Sequence, residues 1–198
     1  MPRLLHIAAH PAPSSSRANR AMLRASRALT GISRLDLYAE YPRYDIDIGE
    51  EQQRLLDHDI IVLQFPIFWY SCPALVKEWL DLTWEHGFAY GQNGDKLKGK
   101  VLALAVTAGG PQEAYRPEGY QHYELRTFLT PFEQTARLAQ MRFPAPYVLH
   151  GALKADPEAH AEGFARYLAA LRDDRLDLAR AEAQDILTHD TLPLTESA

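Results

Sequence analysis

Apolar and polar positions alternate along the chain in blocks that change period. Residues 3–9, RLLHIAA, form a short apolar run that predicts a first strand. HPAPSSS breaks it, and residues 16–29 then supply good helix formers with Met22, Leu23, Ala25 and Leu29 as an apolar face. Any of Ser14, Ser15 and Ser16 is a candidate cap. ISRLDLY at 32–38 alternates as a half-buried strand does, and EEQQRLLDHD at 50–59 predicts a short polar helix. IIVLQF at 60–65 is almost unbroken and β-branched, the pattern of a strand buried on both faces.

A second cycle begins at Pro73. PALVKEWLDLTWEHG predicts a helix opened by proline and closed at Gly87, and KVLALAVT at 100–107 predicts another buried strand. Residues 124–141 have a helical pattern with a break or kink expected at Pro131. RFPAPYVLHG supplies a last strand with a proline-rich lead, and residues 157–187 supply one or two helices. Strands alternating with helices specify an α/β protein with a parallel sheet. Five strands suggest a doubly wound sheet in the order 2-1-3-4-5. Ligands of such sheets bind beyond the carboxyl ends of the strands, where the winding reverses. The loops HPAPSSSRAN, PIFWYSCP and AGGPQEAYRPEGYQHY should therefore meet there.

Composition narrows the classes. The chain has 198 residues, 46% hydrophobic and 24% charged, which suits one domain. Residues 1–187 are expected to form it, with 188–198 as a loose tail. A formal charge of −5 argues against a nucleic-acid partner. The single cysteine, Cys72, excludes an intrachain disulfide and suits a reducing compartment. The opening apolar run is too short for a signal peptide or a membrane span, so a cytoplasmic location is expected.

Each loop has a plain reading and a chemical one. In the first, the hydroxyls of Ser14 and Ser16, the Arg17 side chain and Asn19 surround a helix N-terminus, where free N–H groups favour an anion. Without a ligand the same residues are a serine-rich cap, and the loop lacks both G-x-x-x-x-G-K-[ST] and G-x-G-x-x-G. The second, with Pro66, Ile67, Phe68, Trp69 and Tyr70, is either a buried aromatic cluster or the wall of a site for a large flat ring. Pro66 is expected to end the strand ladder and free the next backbone groups. In the third, Thr107, Ala108, Gly109 and Gly110 allow close backbone approach, and Tyr115, Tyr120, His122 and Tyr123 follow. No metal site is expected. His6 and His10 are spaced H-x-x-x-H, but on a strand they stand about 13 Å apart.

AHPAPSSSRAN, QFPIFWYSCPALVKEWLD, GFAYG and TAGGPQEAY, in this order, resemble the flavodoxin-like NAD(P)H:quinone oxidoreductases. PEGYQHYELRTFLTPFEQTA is similar to the bacterial branch, which includes general-stress NAD(P)H oxidoreductases and ancillary flavoproteins of glutathione-gated potassium efflux. The resemblance covers residues 3–152. It implies FMN, with FAD as the alternative, and NADH or NADPH as reductant. His10, Ser16, Arg17 and Asn19 would surround the phosphate. Residues 66–70 would flank the ring and ribityl chain, and Thr107, Gly109 and Gly110 would meet its polar edge. Tyr115 and His122 would serve the substrate face, although His122 matches only after a shift in a longer loop. Phe88, Tyr90 and Tyr120 would line the substrate pocket, the first two across a homodimer interface. The implied activity is two-electron, ping-pong reduction of quinones. The competing class is a regulatory subunit bound to a potassium-efflux transporter. A plain electron carrier fits less well, because the T-x-T-G-x-T loop is absent.

Overall fold

A computed structural model of the chain describes residues 1–195. Five parallel strands lie in the order β2-β1-β3-β4-β5, and the expected winding is observed. They are β1 (Leu4–Ala8), β2 (Ile32–Asp36), β3 (Ile60–Pro66), β4 (Val101–Thr107) and β5 (Tyr147–Leu149). The helices are α1 (Arg17–Arg27), α2 (Leu37–Glu40), α3 (Ile48–Asp57), α4 (Ala74–Thr83), α5 (Thr130–Leu138), α6 (Pro157–Arg172) and α7 (Leu178–Ala183). The chain winds to one side through β2 and to the other from β3 onward, so the reversal lies between β1 and β3.

The period-two alternation of the strands divides the core. Leu5, Ile7, Ile61, Leu63, Phe65, Leu104 and Val106 face Leu55 of α3, Trp79 of α4 and Phe132 of α5. On the other face, Leu4, Val62, Ala103 and Ala105 meet Met22 of α1 and Phe164 and Tyr167 of α6. Small residues on β4 leave room there for Tyr147, whose ring stacks on Tyr167 with centroids 5.3 Å apart. α3 is pinned to α4 by the buried Glu51 carboxylate, which accepts from Tyr41 Oη at 2.7 Å and Trp79 Nε1 at 2.8 Å.

Several boundaries differ from expectation for local reasons. The second strand stops at Asp36, because that side chain accepts from Ala39 N–H and starts α2. α3 begins at Ile48 because Asp47 caps it. Pro131 does not kink a long helix: Leu125–Leu129 is a 3-10 turn, and Pro131 lies in the first turn of α5, where a missing N–H costs nothing. Nor does Pro66 end the ladder. It remains in register with Thr107, and Ile67 N–H donates to the Thr107 carbonyl at 2.8 Å. The expected loose end is tied down as far as Thr195. Asp177 N–H donates to Pro193 O at 2.9 Å, and Thr195 N–H to Arg175 O at 2.9 Å. Residues 196–198 of that expected tail lie outside the described residues. No helix among the described residues is long and apolar enough to cross a membrane.

Candidate functional site

The loops after β1, β3 and β4 enclose a cavity of about 440 Å³ at the winding reversal. His10, Ser16, Arg17, Asn19, Pro66, Ile67, Phe68, Thr107 and Gly109 all line it, so residues separated by up to 99 positions are brought together. Ser15, Ala18, Ala152 and Leu153 complete the lining. The floor is the N-terminus of α1. Ser16 caps that helix, its Oγ accepting from Asn19 N–H at 3.2 Å. The next amides point at the cavity with the positive end of the dipole. His10 stands on the wall with its ring edge against Phe68, centroids 5.7 Å apart. Its Nδ1 accepts from Ala12 N–H at 3.0 Å, so in the neutral ring the proton is on Nε2. Burial lowers the imidazole pKa and favours that neutral form, outweighing the Asp36 charge.

The aromatic loop is a strained turn. Phe68 and Ser71 exchange both backbone hydrogen bonds at 3.0 Å, with Trp69 and Tyr70 between them. Both central residues are left-handed, at φ 47° and 65°, where Asn and Gly are the usual occupants. Trp69 is 93% exposed rather than packed around Pro66. Phe65, by contrast, is buried and stacks on Phe132 at 5.2 Å. Among the described residues the Trp69 and Tyr70 amides find no hydrogen-bond acceptor. The free donors are therefore these two and not Ile67 N–H. Strain of this kind costs about 1–3 kcal/mol per residue. Replacing Trp69 by Asn together with Tyr70 by Gly should raise the urea unfolding free energy by about 1–2 kcal/mol. An unchanged or lower value would show that the turn is relaxed.

Above β4, a Cβ on Gly110 would sit 2.9 Å from Tyr120 Oη and 3.4 Å from Tyr115 Oη. Both hydroxyls thus overhang one glycine, and a side chain there would push the tyrosine tips aside. Burial raises the Tyr115 pKa, partly offset by a bond from the Gly110 backbone, so the phenol keeps its proton at neutral pH. Phe128 is the hub of this rim, with Tyr70, Tyr123 and Tyr115 at centroid distances of 5.0, 6.0 and 6.3 Å.

Trp69, Tyr70, Gly110, Tyr115 and Tyr120 do not line that cavity, Tyr115 lining a neighbouring one with His150, and three further expected residues are placed elsewhere. Phe88 packs, partly buried, on its own chain's core. Tyr90 packs edge-on to His86 and lines a different cavity with Leu80, Trp84, Phe132 and Leu138. His122 is exposed at φ 60°, and no hydrogen bond or ring contact joins it to Tyr115 among the described residues. The imidazole that does lie against Tyr115 is His150, centroids 5.5 Å apart, its pKa lowered by burial. Sequence reading missed His150, Phe128 and Gln64. Only Gln64 carried a signal, as the one polar side chain in an apolar strand. No cluster of metal-ligating side chains occurs among the described residues, and His6 points into the interior toward Ser26 and Gln64.

Residues 2–174 match a family described as having a flavodoxin-like fold. The chain belongs to that family. Among curated relatives, the glutathione-regulated potassium-efflux system ancillary protein KefG of Cronobacter sakazakii is 42% identical over 170 residues, covering 84% of this chain and 92% of KefG. General stress protein 14 of Treponema denticola, solved in complex with FMN, is 38% identical with a TM-score of 0.79, covering 87% of this chain and 99% of that one. An NADPH-quinone reductase from P. pentosaceus is 28% identical with a TM-score of 0.75, covering 83% and 96%. A chain described as a thermophilic tryptophan halogenase from Streptomycin violaceusniger is 41% identical with a TM-score of 0.79, covering 82% and 96%.

Proposed function

We propose that this flavodoxin-like chain is an FMN-dependent NAD(P)H oxidoreductase that reduces quinones or similar acceptors by two electrons, one pocket serving donor and acceptor in turn. The observation that carries it is the single cavity joining an anion cradle, an aromatic wall and a glycine edge. The donor set fits FMN. The α1 amides, the Ser16 hydroxyl and His10 Nε2–H suit its phosphate, while the Trp69 and Tyr70 amides are free to meet polar atoms of a ring. FMN, when bound, supplies the hydride chemistry. The chain orients it, walls off water with Phe68 and the Phe128 rim, and holds a proton at Tyr115 Oη near the acceptor. His150 packs against the Tyr115 ring and helps to orient it.

Purified protein should bind FMN saturably at micromolar concentration, with quenched flavin fluorescence, and absence of such binding refutes the assignment. NAD(P)H should then turn over a quinone without added halide, which separates quinone reduction from the chemistry named for the halogenase-like neighbour. In rapid mixing, Tyr115→Phe should slow the quinone half-reaction about tenfold, about 1.4 kcal/mol, and leave the nicotinamide half-reaction unchanged. His150→Ala should act in the same direction. His122→Ala tests the other candidate, and a slowdown there with none in Tyr115→Phe would reassign the donor.

The KefG relatives favour a second, compatible role as an ancillary subunit on a potassium-efflux transporter, which would hold the protein at the inner face of the membrane. The apolar groove of Leu80, Trp84, Tyr90, Phe132 and Leu138 suits a homodimer that brings Tyr90, and Phe88 beside it, toward a partner's site. Light scattering on dilute active enzyme checks this, and a fully active monomer would refute the shared site.

A further inference from the structure

Beneath the cavity a row of buried polar side chains runs inward from Thr107 and Ser16 to His6. Asn19 Nδ2 donates to Thr107 Oγ1 at 2.9 Å and to Ser16 Oγ at 3.1 Å. Gln64 Nε2 donates to the Asn19 carbonyl at 3.1 Å and to Asn19 Oδ1 at 3.2 Å. Gln64 Oε1 lies 2.9 Å from His6 Nε2, and His6 Nδ1 lies 3.1 Å from Ser26 Oγ, whose one proton is shared between that nitrogen and the Leu23 carbonyl 3.0 Å away. His6, Asn19, Gln64 and Thr107 are all buried.

The direction of these bonds follows from one atom. A backbone carbonyl only accepts, so the Asn19 carbonyl requires the N–H end of the Gln64 amide. Gln64 Oε1 is then turned to His6, which must carry its proton on Nε2. The same Gln64 N–H group turns Asn19 Oδ1 inward and Asn19 Nδ2 outward. Ser16 Oγ therefore accepts twice, from Asn19 N–H and Nδ2, and Thr107 Oγ1 accepts once. A hydroxyl has one proton to give, and neither Ser16 nor Thr107 uses it on a partner within the row.

We propose that His6, Gln64 and Asn19 form a one-way relay that holds the Ser16 and Thr107 hydroxyl protons outward, so that the cavity selects a phosphate monoester over the unphosphorylated alcohol. His6 and Gln64 are positioning residues, acting through Asn19. Burial lowers the His6 pKa to about 4, which keeps the ring a single-proton donor at neutral pH. The inference rests on the flavin reading for its ligand, and its geometry stands on the protein alone.

Two measurements test it. Imidazole ¹⁵N shifts of wild-type protein at pH 7 should show His6 as the neutral Nε2–H tautomer. A ring protonated on Nδ1 overturns the relay whether or not flavin binds. Dissociation constants for FMN and riboflavin, by fluorescence quenching, form the second arm. Gln64→Leu should weaken FMN at least about tenfold and riboflavin less than about threefold. In a Ser16→Ala, Thr107→Val background the same change should add less than about twofold to the FMN constant. Equal weakening of both flavins, or full additivity, overturns the relay. Wild-type protein that binds neither flavin overturns the flavin reading instead, and the tautomer then decides the relay by itself. If Gln64→Leu does not fold, the tautomer again decides.

Discussion

Acidification from pH 6.5 to pH 4 should remove about 5 kcal/mol of folding free energy, a large part of what holds such a domain folded. Two buried histidines cause it. His6 is held at a pKa of about 4 by burial, opposed by its Gln64 bond and reinforced by the Arg34 charge. His160 is held at about 3 by burial, with His189 and His150 adding to it. Neither ring nitrogen of His160 has a hydrogen-bond partner among the described residues. In the unfolded chain both titrate near 6.5. Between 6.5 and the folded values the unfolded state binds more protons, so stability is complete above 6.5 and falls as pH drops. Each group contributes about 1.4 kcal/mol per pH unit, and a domain of this kind has only about 5–15 kcal/mol in total. Burial raises the Glu51 pKa, and that single carboxyl works in the opposite direction without cancelling two imidazoles. Urea midpoints at pH 7.5, 6 and 5 would show the slope. His160→Phe keeps a ring beside Tyr147 and removes the unpaired nitrogens, so it should roughly halve the slope. Stability independent of pH over this range would mean that both imidazoles are solvated.

The sheet order was legible because long apolar runs and alternating segments mark strand depth, and doubly wound chains have few ways to close. The site's location followed from that order, since loops after β1, β3 and β4 must meet at the reversal. Boundaries failed where one side chain decided them. Asp36 caps a short helix where periodicity alone continues a strand, Asp47 caps one that periodicity starts later, and Pro131 opens a helix because it falls in a first turn. Pro66 keeps its place in β3 because Ile67 supplies the next bond to Thr107. Contacts between distant segments were not legible. His150 meets Tyr115 from across 35 positions, and Gln64 meets Asn19 from across 45. No local pattern specifies either pair. The aromatic loop shows the same limit in another form: the turn that exposes Trp69 depends on φ values that Trp and Tyr do not ordinarily favour.

Gly119→Ala should leave the fold intact and lower the quinone half-reaction about a hundredfold. Gly119 closes the loop that carries both overhanging tyrosines. A Cβ there would lie 2.3 Å from Ala114 O, 2.6 Å from Glu113 O and 2.7 Å from Ala114 C. All three are backbone atoms, so no flexible side chain can move aside. The loop also depends on Gly119 N–H donating to Arg116 O at 3.0 Å and on Gln121 N–H donating to Ala114 O at 3.1 Å. The methyl must therefore push residues 113–115 and 119–121 apart, which carries Tyr115 and Tyr120 away from Gly110. A displacement of about 1 Å at a positioned group costs about 10²-fold in rate. The sheet lies elsewhere, and of the core only Ala114 and Tyr115 belong to the displaced segments, so the thermal midpoint should fall only a few degrees. FMN affinity should also hold within about threefold, because the anion cradle is built from the loop after β1 and the α1 N-terminus. Rapid mixing with NAD(P)H and then with quinone separates the steps: the first should proceed normally and the second should be slow. If both half-reactions keep wild-type rates, the tyrosine overhang is not part of the acceptor site. If FMN binding is lost as well, the loop supports the cradle rather than the proton donor.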